Sequence, residues 1–409
     1  MRSKPEYKKM LKMKVFIALF CFIASILCKA QTPEKKYLVQ FGELITIKSS
    51  ILKETRDIWV YLPPNYHDTY HQPARYPVLY ILDGDIHFHS LSGLVQILGA
   101  GLNGTYVVPE MIVIAIPNTY RTRDLAPTIL DNNDSSTNSY SYKNKKGLNF
   151  LKFIRDELIP KVDSSYRTAN YRTFIGQSLG GLTVINALQT IPETFNAYVA
   201  IEPSLWWDDK VLLKRVKDYF NRSDLKGKTF FLAQANTLNK KDSVNLHFES
   251  IKEMLTILET RNRSNLKWKY KFYENDNHAS VALAGEYDAL RFIFEKFHAS
   301  LDNIFGPKDL EAHYIRLSEE LKTNIAPPER VMQRFGQVAL SNQKYDLAQE
   351  YFQMNIQYYP NSASAFGDMG NLMHTKGLNT KALEYYKNAL SFDLDNKYLA
   401  NKIKSLEKE

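Results

Sequence analysis

A serine framed by glycines is the first feature with chemical consequence. Arg172-Thr-Phe-Ile175 reads as a strand and runs into Gly176-Gln177-Ser178-Leu179-Gly180-Gly181, where an amphipathic helix pattern begins at once. This is G-x-S-x-G in the setting of strand, sharp turn and helix that exposes a nucleophilic serine. Glycines are needed two residues to either side, because a turn that lifts Ser178 clear of a sheet leaves no room there for side chains. A helix starting at Leu179 aims free backbone N–H groups at charge developing on a substrate oxygen. The chemistry implied is attack on an acyl carbon, with the Leu179 N–H as one oxyanion donor.

Such a serine needs a base, and histidine is the usual one. Of nine histidines, His278 lies just past the last strand pattern, in Glu274-Asn-Asp-Asn-His278-Ala-Ser280, and before a final helix. A base placed there overhangs the ends of the central strands. His67, His71 and His247 have no such placement and are expected to face solvent. His87 and His89 stand two apart without a third ligand, so no metal site is expected. The imidazole needs an orienting acid. Glu202 ends the strand Ala197 to Ile201, on the side where strand ends converge, and keeps the chain order serine, acid, histidine. Glu202 is the first candidate, Asp242 the second, and a bare Ser178–His278 dyad the third.

These residues require a sheet to hold them. Val39 to Ile47 and Asp57 to Leu62 read as an antiparallel pair. Val78–Leu82, Ile112–Ile116, Arg172–Ile175, Ala197–Ile201, Thr229–Ala233 and Lys269–Tyr273 follow as nearly continuous apolar strands, the mark of a parallel sheet buried on both faces. Helical patterns fall at 148–160, 179–190, 243–261 and 285–298, and the polar stretch 131–146 reads as a surface loop. The fold class expected is α/β, with a mostly parallel central sheet and helices on both faces.

Beyond Gly306-Pro307 the pattern is helical to the end. Gly336 and Gly370, Ala348 and Ala382, Tyr351 and Tyr385, Phe352 and Tyr386, and Ile356 and Leu390 are each 34 residues apart. Small residues where helices touch, with aromatics at the same period, resemble the tetratricopeptide repeat. Two repeats are expected, 330–363 and 364–397, after a linker and helix in 301–329 and before a helix end in 398–409.

The formal charge of +9 invites a nucleic-acid reading until it is located. Seven of the 53 lysines and arginines lie in residues 1–30 against one acid, leaving +3 for the rest, so no large basic surface and no nucleic-acid partner are expected. Lys8, Lys9, Lys12 and Lys14 precede an apolar run from Val15 to Cys28 and then Lys29-Ala30. That is the layout of a secretory signal peptide, cut after Ala30, and the run is too short to span a bilayer. Both cysteines, Cys21 and Cys28, lie within it. The mature chain is therefore expected to have no disulfide, no thiolate zinc site and no cysteine nucleophile, to work in the periplasm or outside the cell, and to keep no membrane span.

Tyr76-Pro-Val-Leu-Tyr-Ile-Leu-Asp-Gly84, Arg123-Asp-Leu-Ala-Pro-Thr128, Gly176 to Gly181, Pro203-Ser-Leu-Trp-Trp207 and His278 together resemble the bacterial putative-esterase family of α/β-hydrolases. That family includes esterase D, feruloyl esterases and the enterochelin-type siderophore esterases. The resemblance covers residues 37–298, within a hydrolase domain expected over residues 31–300. It implies an eight-stranded α/β-hydrolase sheet and a second oxyanion donor in the loop after Gly84, the Asp85 backbone N–H. It would also place an acid just after Thr229–Ala233, yet the chain reads Gln234-Ala-Asn-Thr-Leu-Asn239 there, a departure from the pattern.

Trp206 and Trp207 are expected to wall the pocket for an acyl, aryl or sugar group, unless they serve only as packing. Arg123 is expected either to contact substrate or to pair internally with Asp124. The function expected is a serine carboxylesterase that needs no cofactor, acting on a siderophore lactone or an acyl- or feruloyl-sugar. The alternative is a catalytically silent hydrolase shell that holds a protein partner through its repeats.

Overall fold

The alternating apolar runs assemble into one mixed sheet in a computed structural model of the chain. The structure describes residues 40–99, 106–128, 146–238, 245–261, 264–300 and 306–408, together with Met13, Gly101 and Ile304. The expected signal peptide, apart from Met13, and nearly all of the expected loop 131–146 lie outside the described residues.

The strands are β1 (Glu43–Ser49), β2 (Glu54–Tyr61), β3 (Tyr76–Leu82), β4 (Ile112–Ile116), β5 (Thr168–Gln177), β6 (Ala197–Ile201), β7 (Thr229–Ala235) and β8 (Lys267–Tyr273). Their order is β1-β2-β4-β3-β5-β6-β7-β8. β1 and β2 pair antiparallel, β2 meets β4 antiparallel, and all other pairs are parallel. Almost every residue of β3, β4, β6 and β7 is buried, because helices cover both faces.

This order positions the site. The chain leaves β3 toward β4 on one side, and from β5 it steps outward on the other, so the carboxyl ends of β3 and β5 flank a switch point. The register then aligns the strand ends: Gln177 sits opposite Ile201, and Ile201 opposite Ala233. Ser178 and Glu202 are thus the first residues beyond two neighbouring strands.

The helices of this part are α1 (Gly84–Gly99), α2 (Arg121–Leu125), α3 (Lys146–Phe153), α4 (Ile159–Ser165), α5 (Leu179–Thr190), α6 (Trp207–Arg222), α7 (Leu246–Arg261) and α8 (Val281–Ile293), with a π-helical turn at Ile154–Leu158 between α3 and α4. α1, α2 and α6 were not expected. The buried Phe88, Leu91, Val95 and Leu98 of α1 have helical spacing, but histidines, serines and glycines interrupt the apolar pattern. In α6 the buried Leu212, Leu213, Val216 and Phe220 form a narrow stripe on an otherwise charged segment. α5 is buried from Leu179 to Leu188, as the central helix behind Ser178 should be.

Six further helices follow: α9 (Pro307–Leu321), α10 (Glu329–Ser341), α11 (Tyr345–Tyr358), α12 (Ala363–Thr375), α13 (Asn379–Phe392) and α14 (Lys397–Leu406). The 34-residue period has a direct steric meaning. A Cβ on Gly336 would stand 2.3 Å from the Phe352 ring, and one on Gly370 would stand 2.7 Å from the Tyr386 ring. Glycine at both positions lets the aromatic of the next helix close in. Among the described residues no helix is long and apolar enough to cross a membrane.

The loop Asp68–Gln72, before β3, is held by this helical region. The Ser364 N–H donates to the Tyr70 carbonyl at 2.8 Å, and the Gln72 N–H donates to Glu329 Oε2 at 2.9 Å. His71, expected at the surface, is enclosed between Asp68 (2.8 Å) and Gln333 (3.2 Å), and Tyr70 packs against the apolar core around Phe352, Met369 and Tyr386. Sequence position could not show this, because the partners lie some 260 residues away.

The clamp carries a pH signature. Burial pushes the Glu329 carboxyl up to about 7, even though Ser362, Gln72 and Arg330 oppose the shift. Between the ordinary value of 4.5 and about 7, the folded chain holds a proton that the unfolded chain has released. Stability should therefore fall as pH rises through that window and level off above it. Glu329→Gln, uncharged throughout, should raise the melting temperature at pH 8 by roughly 2–4 °C and leave it near the parent value at pH 5. Thermal unfolding of both chains at the two pH values checks this.

Candidate active site

Ser178 occupies the turn between β5 and α5 with φ 58° and ψ −117°, a conformation that favours glycine. Tertiary hydrogen bonds hold it there. Its N–H donates to the Ile201 carbonyl at 2.9 Å, and its own carbonyl accepts from Leu182 at 3.1 Å and Ser204 at 3.0 Å. A Cβ on Gly176 would fall 2.4 Å from the Gly180 backbone, so glycine is sterically required there, and one on Gly180 would stand only 3.2 Å from Asp83. Asp83 at the end of β3 (φ 53°) and Glu202 at the end of β6 (φ 47°) are likewise left-handed. Three strained non-glycine residues at three strand ends are the pattern of a functional site. Ser178 Oγ lies 3.3 Å from Ser204 Oγ.

Glu202 is completely buried. Its Oε1 accepts the Ala235 N–H at 2.6 Å, and its Oε2 accepts from two imidazoles, His278 Nδ1 at 3.1 Å and His247 Nε2 at 2.8 Å. Burial by itself would raise this carboxyl, but the hydrogen bonds from His247 and His278, with that of Ala235, outweigh it and hold the group below its ordinary range. The His278 ring is about half exposed, at 45%. Its loop is fixed by Gln177 Nε2, which donates to the His278 carbonyl, and by Asn277 Oδ1, which accepts the Ala279 and Ser280 N–H groups at 2.9 and 3.1 Å. His247, expected at the surface, is instead mostly buried in the first turn of α7 and meets the His278 ring edge-on at 5.1 Å. Asp242 lies outside the described residues.

Leu179 and Asp85 stand in the first turns of α5 and α1, where backbone N–H groups have no carbonyl within their own helix. The Asp85 loop is braced from below. Arg121 clasps the buried Asp83 carboxylate through Nε (2.5 Å) and a terminal nitrogen (2.9 Å), and its guanidinium also reaches the Gln177 carbonyl at 3.4 Å. Asn118 donates to Asp83 at 2.7 Å and to Asp85 at 3.3 Å. Sequence reading passed over Arg121, Asn118 and Ser204. Only the positive charge of Arg121, two residues before Arg123, was a signal that could have pointed there.

Arg123 needs a correction as a substrate contact. Its guanidinium is bound to Glu54 at 2.8 and 2.6 Å and to Asp124 at 2.6 Å, and it is largely buried. The short helix turns the two arginines different ways, so Arg123 braces β2 while Arg121 meets the serine turn. Trp206 is exposed at 37%, whereas Trp207 packs against the core. Asp208, Asp209 and Lys210, just beyond, form a left-handed turn. His87 points inward, 2.9 Å from the buried Glu286. A cavity of about 580 Å³ reaches Tyr76, Thr168 and Glu329, at the ends of β3 and β5 opposite to Asp83 and Ser178.

Comparison with known proteins agrees with this architecture. The ferri-bacillibactin esterase of Bacillus subtilis is 28% identical over 232 residues, 54% of this chain and 79% of that protein. An IroE-like serine hydrolase from Shewanella oneidensis superposes with a TM-score of 0.69 at 29% identity, covering 78% of this chain and 99% of that one. The BES protein of Bacillus cereus shares the fold, with a TM-score of 0.54 at 23% identity over 64% of this chain and 98% of that one. The profile of the family described as "Putative esterase" matches residues 49–279, more than half of the chain, and the chain belongs to that family.

Proposed function

We propose that the protein is a serine carboxylesterase exported from the cytoplasm, with Ser178 as nucleophile, His278 as general base and Glu202 as the orienting acid. Ser178 turns its Oγ from Ser204 to His278 Nε2, gives up its proton and attacks the ester carbonyl. The Leu179 and Asp85 N–H groups hold the oxyanion, and Asp83, Arg121 and Asn118 keep the Asp85 loop in place. His278 then protonates the leaving alcohol, and water repeats the cycle on the acyl-enzyme. The observation that carries this reading is the 3.1 Å contact between His278 Nδ1 and the buried Glu202, one strand over from the Ser178 turn.

The substrate class is a siderophore lactone, supported by the name and 79% coverage of the Bacillus subtilis relative, with Trp206 offering a face to an aryl group. Acylated or feruloylated sugars are the competing class. Fluorophosphonate labelling of Ser178, followed by turnover of a catechol trilactone beside a feruloyl sugar, tests both parts. No labelling would reject the mechanism, and turnover of the sugar alone would reject the substrate class. Export rests on the expected leader, and N-terminal sequencing of the processed protein should begin at Gln31.

The helices from Glu329 onward are read as two tetratricopeptide-type repeats that clamp their own hydrolase domain at Asp68–Gln72. That contact weighs against a scaffold that works through a free groove. A chain ended near Ala299 should keep activity on a small ester within about tenfold, while solubility falls because Phe297 and Tyr70 lose their cover. Complete loss of turnover in a folded truncation would mean that the repeats complete the pocket.

A further inference from the structure

We propose that Glu202, His247 and His278 form a binding site for a transition-metal dication such as Zn²⁺, and that the ion switches the esterase off; the inhibition rests on the reading of His278 as base. Glu202 Oε2, His247 Nε2 and His278 Nδ1 all lie within 4.8 Å of one another, and among the described residues this is the group of histidine and acid side chains that offers three such ligand atoms. The two rings meet at an interplanar angle of 78°, so their in-plane lone pairs converge from different directions. Ligand atoms around tetrahedral zinc stand roughly 3.3 Å apart, for bonds near 2 Å. The present separations from Glu202 Oε2 are 2.8 and 3.1 Å, so the carboxylate has to move by only a few tenths of an ångström from each imidazole, and the two ring nitrogens already lie within 4.8 Å of each other.

The surroundings suit an ion. Glu202 stays anchored by the Ala235 N–H on its other oxygen, an outer-shell hydrogen bond that fixes a ligating carboxylate. The exposed side of His278 leaves room for water as a fourth ligand. Two imidazoles and one carboxylate favour Zn²⁺ over Mg²⁺ or Ca²⁺, which prefer sets of oxygen ligands.

Inhibition follows from the tautomer. A neutral His278 that presents its Nδ1 lone pair to the metal must carry its ring proton on Nε2, the atom that has to accept the serine proton. No proton has to leave the protein for this exchange. The base is simply turned the wrong way round. His247 contributes to the ion site without touching the reacting atoms, which separates this site from the catalytic contact alone.

Zinc titration of the Ser178→Ala chain, followed by calorimetry, reads binding independently of catalysis. It should show about one Zn²⁺ per chain, with affinity lowered at least a hundredfold when His247→Asn is added, since losing a ligand outweighs losing an outer-shell partner. In the wild-type chain Zn²⁺ should suppress fluorophosphonate labelling of Ser178, a chelator should restore it, and Mg²⁺ should have no effect. Equal zinc affinity with and without His247 would overturn the site. Zinc bound through His247 while labelling continues would overturn the switch. Absence of labelling even in metal-free protein would instead reject the serine-esterase reading and leave the binding result standing.

Discussion

Ser178→Ala is expected to lower ester turnover at least about a thousandfold and to shift the melting temperature by no more than about 2 °C. The two halves of this expectation come from different parts of the residue. The turn is held by the main chain, through the Ser178 N–H to Ile201 and the Ser178 carbonyl to Leu182 and Ser204, and alanine keeps all three bonds. Alanine also keeps the Cβ that the turn already accommodates at φ 58°, so no strain is added or released. What is lost is a hydroxyl whose hydrogen bond to Ser204 is long, at 3.3 Å, and contributes little to folding. Turnover and thermal unfolding of the same preparation check both halves. A mutant that retains a tenth of the parent rate would remove Ser178 from the mechanism.

Glu202→Gln should lower kcat about a hundredfold or more with little change in KM. The buried carboxylate accepts three hydrogen bonds, from Ala235, His247 and His278. Glutamine can keep the Ala235 bond with its single oxygen, but then turns an NH₂ group toward two imidazole N–H groups. His278 answers by moving its proton to Nε2, which disables it as a base, and the positive charge it would gain in the transition state loses its counter-ion. Stability should fall as well, by about 1–3 kcal/mol, because a buried donor is left without an acceptor. Asp242→Asn should leave kcat within about threefold. Steady-state kinetics on both variants decide between them, since the reverse pattern would hand the orienting role to Asp242 and two silent mutants would favour a dyad.

The features legible without coordinates are those written in local sequence. Gly176, Ser178 and Gly180 specify a sharp turn because a side chain at Gly176 would strike the Gly180 backbone, and one at Gly180 would crowd Asp83 and Leu82. Continuous apolar runs specify strands covered on both faces, and β3, β4, β6 and β7 are buried accordingly. The 34-residue spacing of Gly336 and Gly370 specifies where one helix must admit an aromatic from the next. Strand ends were misread by a few residues, as at β1 and β5, since pairing partners rather than composition decide where a strand stops.

Contacts between distant elements were decided by folding alone. Nothing near His247 announces that α7 begins beside the end of β6, yet that placement brings two imidazoles onto one carboxylate. Arg121 and Arg123 have the same chemistry and nearly the same position in the chain, and a single turn of helix sends one to Asp83 and the other to Glu54. His71 meets Gln333, and Gln72 meets Glu329, through a loop and a helix some 260 residues apart. Residue type and spacing encode the backbone conformation and the faces that must be buried, because those depend on near neighbours. Which side chains then meet depends on strand order, register and helix rotation, and these are settled only when the whole sheet and its covering helices pack together.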